Sequence, residues 1–263
     1  THMRTLLVIF MITLMAFPLA SAGLVERKKP GTVPDPTDPT TSDPWTFYGT
    51  DNGEKYALCI GISNYEGRTS DLKYCDDDAK AWKDYYVSQG YYVMLLLDLD
   101  ATADNMELAF AALDALEDAA TDQVVVTYSG HGGWYDNTYK SCIISSDLYW
   151  CTNGWMASWF DSYDSQNMFF FFDSCESGYF ATALAKQGRV ITVGSGGSGY
   201  YTYDDRVTRH GIFTYYALEG TAYYNYAEGI ANYAMTNFMD WCAARGAACD
   251  PQYSDNFNGS LYI

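Results

Sequence analysis

Five short, mostly apolar runs set the rhythm of this chain: Tyr56 to Ile62, Tyr91 to Leu97, Gln123 to Tyr128, Phe169 to Phe172 and Arg189 to Gly194. None shows the sustained alternation of apolar and polar positions that marks a half-exposed strand, and each stops at small or polar residues. That pattern predicts strands buried on both faces, as in the middle of a parallel sheet. Between the runs lie stretches of helical character. Asp76 to Gln89 has acidic residues in its first turn and Gly90 just past its end, and Thr102 is placed to cap a helix running to about Ala119. Further helices are predicted near Gly154 to Ser162, Ile212 to Glu219 and Ala227 to Ala244, while Ser141 to Ser145 with Tyr149 to Cys151 reads as a short hairpin. The alternation of strand and helix predicts an α/β fold, a mostly parallel twisted sheet with helices on both faces.

A long preamble precedes this pattern. Thr1 and His2 stand ahead of a Met and read as a remnant. Met3 to Ala22 combines Arg4, an apolar stretch from Leu6 to Phe17 and Ala20-Ser21-Ala22, the layout of a secretory signal. Residues 1–22 are therefore expected to be removed, leaving a mature protein outside the cytoplasm and free of the membrane. Residues 23–47 read as a Pro/Thr/Asp-rich linker with too little apolar surface to offset the entropy of ordering. Composition turns aromatic and aliphatic from Trp45, and 48–263 suits one domain with a substantial core. The charge is lopsided, 33 Asp and Glu against 15 Lys and Arg, a formal net charge of -18. Such a surface repels phosphate backbones and anionic membranes, which argues against nucleic-acid and membrane partners and for cationic ones.

Candidate chemistry gathers where two of the apolar runs end. FFFFDSCESG, Phe169 to Gly178, delivers Cys175 at the carboxyl end of one strand, and VVVTYSGHGG, Val124 to Gly133, delivers His131 at another. In open α/β sheets ligands bind at that edge. A thiol with the reference pKa of about 8.5 is mostly protonated at neutral pH and needs a nearby imidazole to become a nucleophile. His131 has the context to supply it, and it precedes Cys175 by 44 residues, near the spacing of about 50 in caspase-type peptidases. Asp173 lies two residues before Cys175 on the same face of the strand, where its carboxylate could hold a substrate's guanidinium or ammonium.

On these residues the chain from Tyr56 to Ile263 resembles the metacaspase branch of the caspase-like cysteine peptidases. The resemblance implies a cysteine endopeptidase with a dyad of His131 and Cys175, and an oxyanion hole made by the backbone N–H groups of Gly132 and Cys175. It further implies a pocket for Arg or Lys built from Cys75 and Asp78 of a CxxD motif, Ser129 and Asp173. The expected partners are thus protein or peptide substrates with basic residues, and no cofactor is expected. Calcium activation is common in that branch. Here the segment after His131 carries Lys140 and Thr152-Asn153-Gly154 where acids would be expected, leaving only Asp136 and Asp147. A hard cation wants several oxygens, so no metal site is expected.

Seven cysteines are an odd number for an exported protein. Cys142 and Cys151 bracket the hairpin, Cys242 and Cys249 bracket a helix end, and each pair could form a disulfide worth roughly 2 to 3 kcal/mol through loop closure. Cys59 reads as a core residue that leaves Cys75 and Cys175 free, or else as a partner of Cys75. His210 reads as a structural residue at a helix start. Arg27, Lys28 and Lys29 in the linker, and Arg206 and Arg209 in a loop expected to be mobile, are candidate sites of self-processing. Two other readings of the whole chain stand beside the peptidase: a caspase-fold binding module without catalysis, and a related transpeptidase or a peptidase of other specificity. Cleavage after Asp is disfavoured, because carboxylates would meet unpaired. On the metal-free reading, chelating divalent ions in a peptidase assay changes activity by less than about twofold; a larger loss would reveal acids converging in space that lie apart in sequence.

Overall fold

Phe169 to Phe172 divide their side chains between two buried layers, because successive residues of a strand point to opposite faces. Phe169 and Phe171 join one apolar cluster, Phe170 and Phe172 the other. Phe171 stacks on Phe213 with ring centroids 5.0 Å apart, and Phe170 meets Phe160 edge-on at 4.9 Å. An unbroken aromatic run is therefore what a strand sandwiched between helices requires. The computed structural model describes residues 13–14, 43–137 and 140–263. Arg27, Lys28, Lys29 and nearly all of the segment read as a secretory signal lie outside the described residues.

Seven strands make the central sheet: β1 (Thr46–Tyr48), β2 (Lys55–Gly61), β3 (Tyr92–Leu97), β4 (Gln123–Ser129), β5 (Asn167–Asp173), β6 (Arg189–Val193) and β7 (Gln252–Asp255). Their spatial order is β7-β6-β5-β4-β2-β3-β1. The five inner strands run parallel, as the apolar runs predict, and the two outer ones are antiparallel edges. Neither edge was expected. β1 lies in the stretch read as linker, where Trp45 is buried and Phe47 stacks on Tyr92 at 4.6 Å. Chain progression goes outward from β2 to β3 and then returns to β4 on the other side of β2. The carboxyl ends beside this switch point face the crevice where open sheets bind ligands.

Helices α1 (Cys75–Ser88), α2 (Ala103–Leu116), α3 (Asn153–Phe160), α4 (Phe180–Ala183), α5 (Ile212–Gly220) and α6 (Ala227–Ala243) cover both faces. Trp82 and Tyr86 of α1, Phe213 of α5 and Phe238 of α6 pack on the Phe169 face; Phe110 of α2, Trp155 and Phe160 of α3 and Phe180 of α4 pack on the other. Thr102 caps α2 as expected, its hydroxyl accepting from Asn105 N at 3.2 Å. Among the described residues no helix is long and apolar enough to cross a membrane.

Two smaller sheets decorate the crevice. Gly132–Trp134, Ser141–Ile144 and Trp150–Thr152 form an antiparallel ribbon. Its register sets Cys142 opposite Thr152 and Cys151 opposite Ile143. The thiols of Cys142 and Cys151 therefore leave opposite faces of the ribbon, which rules out the expected bridge. All seven cysteines are free, and Cys242 and Cys249 meet as thiols hydrogen-bonded to each other in place of the expected disulfide. The second sheet pairs Tyr203–Asp205 with His210–Gly211, and Thr13–Leu14 adds to the outer edge of Tyr203–Asp204. The stretch around Arg206 and Arg209, expected to be a mobile loop, is thus a tight hairpin. Arg206 is exposed near its tip, while Arg209 pairs with Asp77 at 3.3 Å.

Because both faces of β5 are sealed by rings, Phe171→Ala should cost about 3 to 5 kcal/mol of unfolding free energy in urea titrations. A loss below about 1 kcal/mol would mean that the core closes around the cavity.

Candidate active site

The in-register pairing of β4 with β5 sets Ser129 opposite Asp173, and Gly130 N donates to the Asp173 carbonyl at 3.3 Å. His131 and Cys175 each follow two residues later and emerge side by side. A Cβ at Gly132 would lie 2.1 Å from the Cys175 carbonyl oxygen, so only glycine allows the two backbones to approach this closely. The His131 ring lies 4.8 Å from that of Tyr65, and its Nε2 sits 2.7 Å from the Ser70 carbonyl oxygen. A carbonyl can only accept, so Nε2 carries the hydrogen of the neutral ring. Sequence reading found no group to orient His131; the group is a main-chain carbonyl, which has no side-chain signature.

Cys175 is fully buried and His131 is 3% exposed. Thr202 N donates to Cys175 Sγ at 3.4 Å. Burial pushes the thiol well above its usual range, and the Thr202 contacts offset only part of that shift. Glu176 follows in left-handed backbone geometry, φ 52°. Its carboxylate accepts from Trp134 N at 2.9 Å and Gly199 N at 2.7 Å, tying together the loops after His131, Cys175 and β6. Beyond this strap Trp134, Tyr179, Tyr200 and Tyr253 line an open cleft of about 460 Å³.

The four expected pocket residues also converge, and all four are buried. Ser129 Oγ donates to Asp78 Oδ2 at 2.7 Å, and Gly211 N lies 3.2 Å from both Asp78 oxygens. Asp173 Oδ2 accepts from the Thr214 N–H and hydroxyl, each at 2.8 Å, whereas its Oδ1 has no hydrogen-bond partner. Cys75 faces the same acids, and burial followed by the charge of Asp204 pushes its thiol up. His210, read as structural, is a wall of the pocket: its Nδ1 lies 2.7 Å from Asp78 Oδ1. Gly211 fills the gap beside it, where a Cβ would lie 2.3 Å from Asp173 Oδ2.

Asp204 was not anticipated. It is 2% exposed, and neither of its carboxylate oxygens has a hydrogen-bond partner. Burial lifts Asp78, Asp173 and Asp204 above the ordinary carboxylate range, and the mutual proximity of the three adds to the shift at Asp78 and Asp204. Thr214 and Thr202 oppose the shift at Asp173. Burial pulls His210 down, opposed by the charges of Asp77 and Asp173. Among the described residues no group of three or more His, Cys, Asp or Glu has the arrangement of a metal site. Asp147, one of the two acids considered for calcium, is already engaged by Ala103 N at 2.9 Å and Ser145 Oγ at 2.6 Å.

Residues 54–241 match the family model described as the caspase domain. The chain belongs to the caspase-domain family, a family of cysteine peptidases. Its fold is similar to that of the protein GSU0716 from Geobacter sulfurreducens, with a TM-score of 0.61 at 15% identity over 80% of this chain and 97% of that one. No curated protein sequence matches it.

A buried carboxyl held above its ordinary pKa contributes stability at low pH that is lost as pH rises through its folded value. Asp204→Asn should therefore raise the stability of the free protein at pH 8 by roughly 1 to 3 kcal/mol, and the gain should vanish near pH 4. Denaturant titrations at the two pH values check this; a variant equally destabilised at both would mean that Asp204 is paired.

Proposed function

We propose that the protein is a secreted cysteine endopeptidase that cleaves after Arg or Lys. The observation that carries this reading is the adjacency of Cys175 and His131 to a buried acidic pocket with unpartnered carboxylate oxygens. A buried cluster of carboxylates of this kind is stabilised by a cation, and a positively charged side chain held there would set the following carbonyl beside the thiol. Secretion rests on the signal-like residues Met3 to Ala22.

The chemistry follows from the tautomer. Nδ1 of His131 takes the Cys175 proton as the sulfur attacks the scissile carbonyl carbon, and Ser70 O steadies the imidazolium through Nε2–H. Negative charge moves to the carbonyl oxygen, where the N–H groups of Gly132 and Cys175 would receive it; such donors are worth about 3 kcal/mol each. The C–N bond then breaks, Nδ1–H protonates the leaving amine, and a thioester remains on Cys175. Water, deprotonated by the same nitrogen, releases the acid and restores the thiol. Because burial disfavours a resting thiolate, proton removal by His131 accompanies attack. Polypeptide on the leaving side can run along the aromatic cleft beyond Glu176.

One feature favours the non-catalytic reading: Thr202 covers Cys175, whose sulfur has no exposed surface. Substrate entry thus requires the Tyr200 to Tyr203 segment to move. Purified protein assayed on peptides ending in Arg, Lys, Asp or Leu before a fluorogenic group should cut the two basic ones. Cys175→Ala and His131→Ala should each lower kcat/KM by at least about a thousandfold while keeping the unfolding midpoint. Failure of iodoacetamide to label Cys175 in the folded protein, together with no turnover, would establish the binding-module alternative.

A further inference from the structure

Glu176, the residue after Cys175, hydrogen-bonds through both its main chain and its carboxylate. Its N–H donates to the Tyr200 carbonyl at 3.0 Å, and its own carbonyl accepts from Ser141 Oγ at 2.6 Å. Its carboxylate takes Trp134 N at 2.9 Å on one oxygen and Gly199 N at 2.7 Å on the other. The backbone sits at φ 52°, where a side chain is a liability and glycine or asparagine would be the ordinary choice. Strain of this kind beside a reactive group calls for a function that the side chain itself supplies.

The two carboxylate oxygens reach different kinds of partner. Trp134 belongs to the ribbon and pairs there with Ser141, whose hydroxyl also accepts from Tyr179 N at 3.1 Å. That side is braced to the core, since Cys142, Ile143 and Ile144 of the ribbon are fully buried. Gly199 ends the glycine-rich stretch GSGGSG, residues 194–199, and lies exposed at φ 86° with open space where a Cβ would be. From Gly199 the chain runs over the sulfur, where Thr202 N donates to Cys175 Sγ at 3.4 Å and the Thr202 carbonyl accepts from the thiol at 3.7 Å. Within this cover, residues 199–202, Tyr201 N donates to the Ala248 carbonyl at 3.2 Å. A carboxylate is a stronger acceptor than a carbonyl, so Glu176 is the stronger of these two ties.

We propose that Glu176 is a positioning residue, the latch that holds residues 199–202 closed over Cys175: one carboxylate oxygen is anchored on the ribbon and the other retains the cover. Releasing Gly199 N frees the end of a segment whose glycines let it swing, and the sulfur then meets solvent or substrate. The purpose of the latch rests on the reading of Cys175 as a nucleophile; the closure itself does not. Trp134 on the ribbon side and Tyr200 on the cover side both line the aromatic cleft, together with Gly197 and Ser198. A peptide lying in that cleft meets both ends of the latch, so the contact that binds the leaving side is placed to open the site.

Glu176→Gln keeps the size of the side chain and breaks the latch, because its amide NH2 group must face an N–H where a carboxylate oxygen now accepts one. Native protein is treated with iodoacetamide, and alkylation of Cys175 is followed by peptide mass spectrometry beside that of Cys59, which is buried in β2 and reports general opening. Cys175 should be labelled at least about tenfold faster in Glu176→Gln than in wild type, with Cys59 unchanged. Glu176→Asp, which keeps the charge but is one methylene too short to span both N–H groups, should behave the same way. On peptides with Arg before the scissile bond, Glu176→Gln should lower KM at least about threefold while kcat stays within about threefold, because less of the enzyme rests closed. Equal labelling of Cys175 in wild type and Glu176→Gln overturns the proposal, as does a rise shared by Cys59, which would make Glu176 a structural brace. Wild-type Cys175 alkylated as fast as free glutathione overturns it without any variant. Faster labelling of Cys175 in the variant, with no peptide cut by either protein, upholds the latch and removes the peptidase reading, so the two failures are told apart.

Discussion

The parallel register between β4 and β5 governs where the candidate pair, His131 and Cys175, lies. Pairing Ser129 with Asp173 sends His131 and Cys175 out of the sheet edge together and turns Ser129 and Asp173 towards the same pocket. A slip of one residue would exchange the faces of all side chains on one strand. The register must be held against such a slip. The bulk of Phe169 to Phe172, wedged alternately between two layers of helices, does so from inside the core. Packing and chemistry are in this sense a single constraint, and the aromatic excess of the sequence is the material that enforces it.

At the other extreme the crevice works against stability. Three carboxyl groups are buried together, with one imidazole and a few N–H and hydroxyl donors to moderate them. Desolvation and mutual repulsion both oppose their ionisation. A core that merely needed to be stable would replace them with apolar groups of similar size. On the proposed reading, part of the folding free energy is withheld until a positive side chain arrives, so that recognition and stabilisation become the same event. Left-handed backbone at Glu176 beside Cys175 is a second local cost, retained because its carboxylate joins three loops.

Much of this was legible in the linear chain, and the reasons are physical. Parallel strands buried on both faces advertise themselves as apolar runs, and residues that follow such runs by one or two positions inherit a known location. That is why Asp173 and the candidate pair could be placed on paper, whereas Cys75, Asp78 and Ser129 were expected only through the resemblance to the metacaspase branch. The edge strands were missed because Thr46–Tyr48 is three residues long and sits against proline-rich sequence. The disulfide expectation failed for Cys142 and Cys151 because sequence proximity is silent about which face of a ribbon a thiol leaves. Asp204 escaped notice and His210 was read as structural because their short strands have no periodicity to read, and an acid among arginines and tyrosines reads as a surface loop. Their roles come from a fold-back that only the three-dimensional pairing of Asp204 with Gly211 reveals.

The hydrogen bond from His131 to Ser70 has a consequence for how this molecule tolerates change. The group that fixes the imidazole belongs to the peptide backbone, so every amino acid at position 70 carries it. Substitution there can shift the loop but cannot delete the acceptor. A side-chain scan would pass over one of the most influential contacts in the crevice. Sequence drift at this position can be wide while the tautomer of His131 stays constant, and the chain thus shelters its proton chemistry in the one part of a protein that mutation does not rewrite.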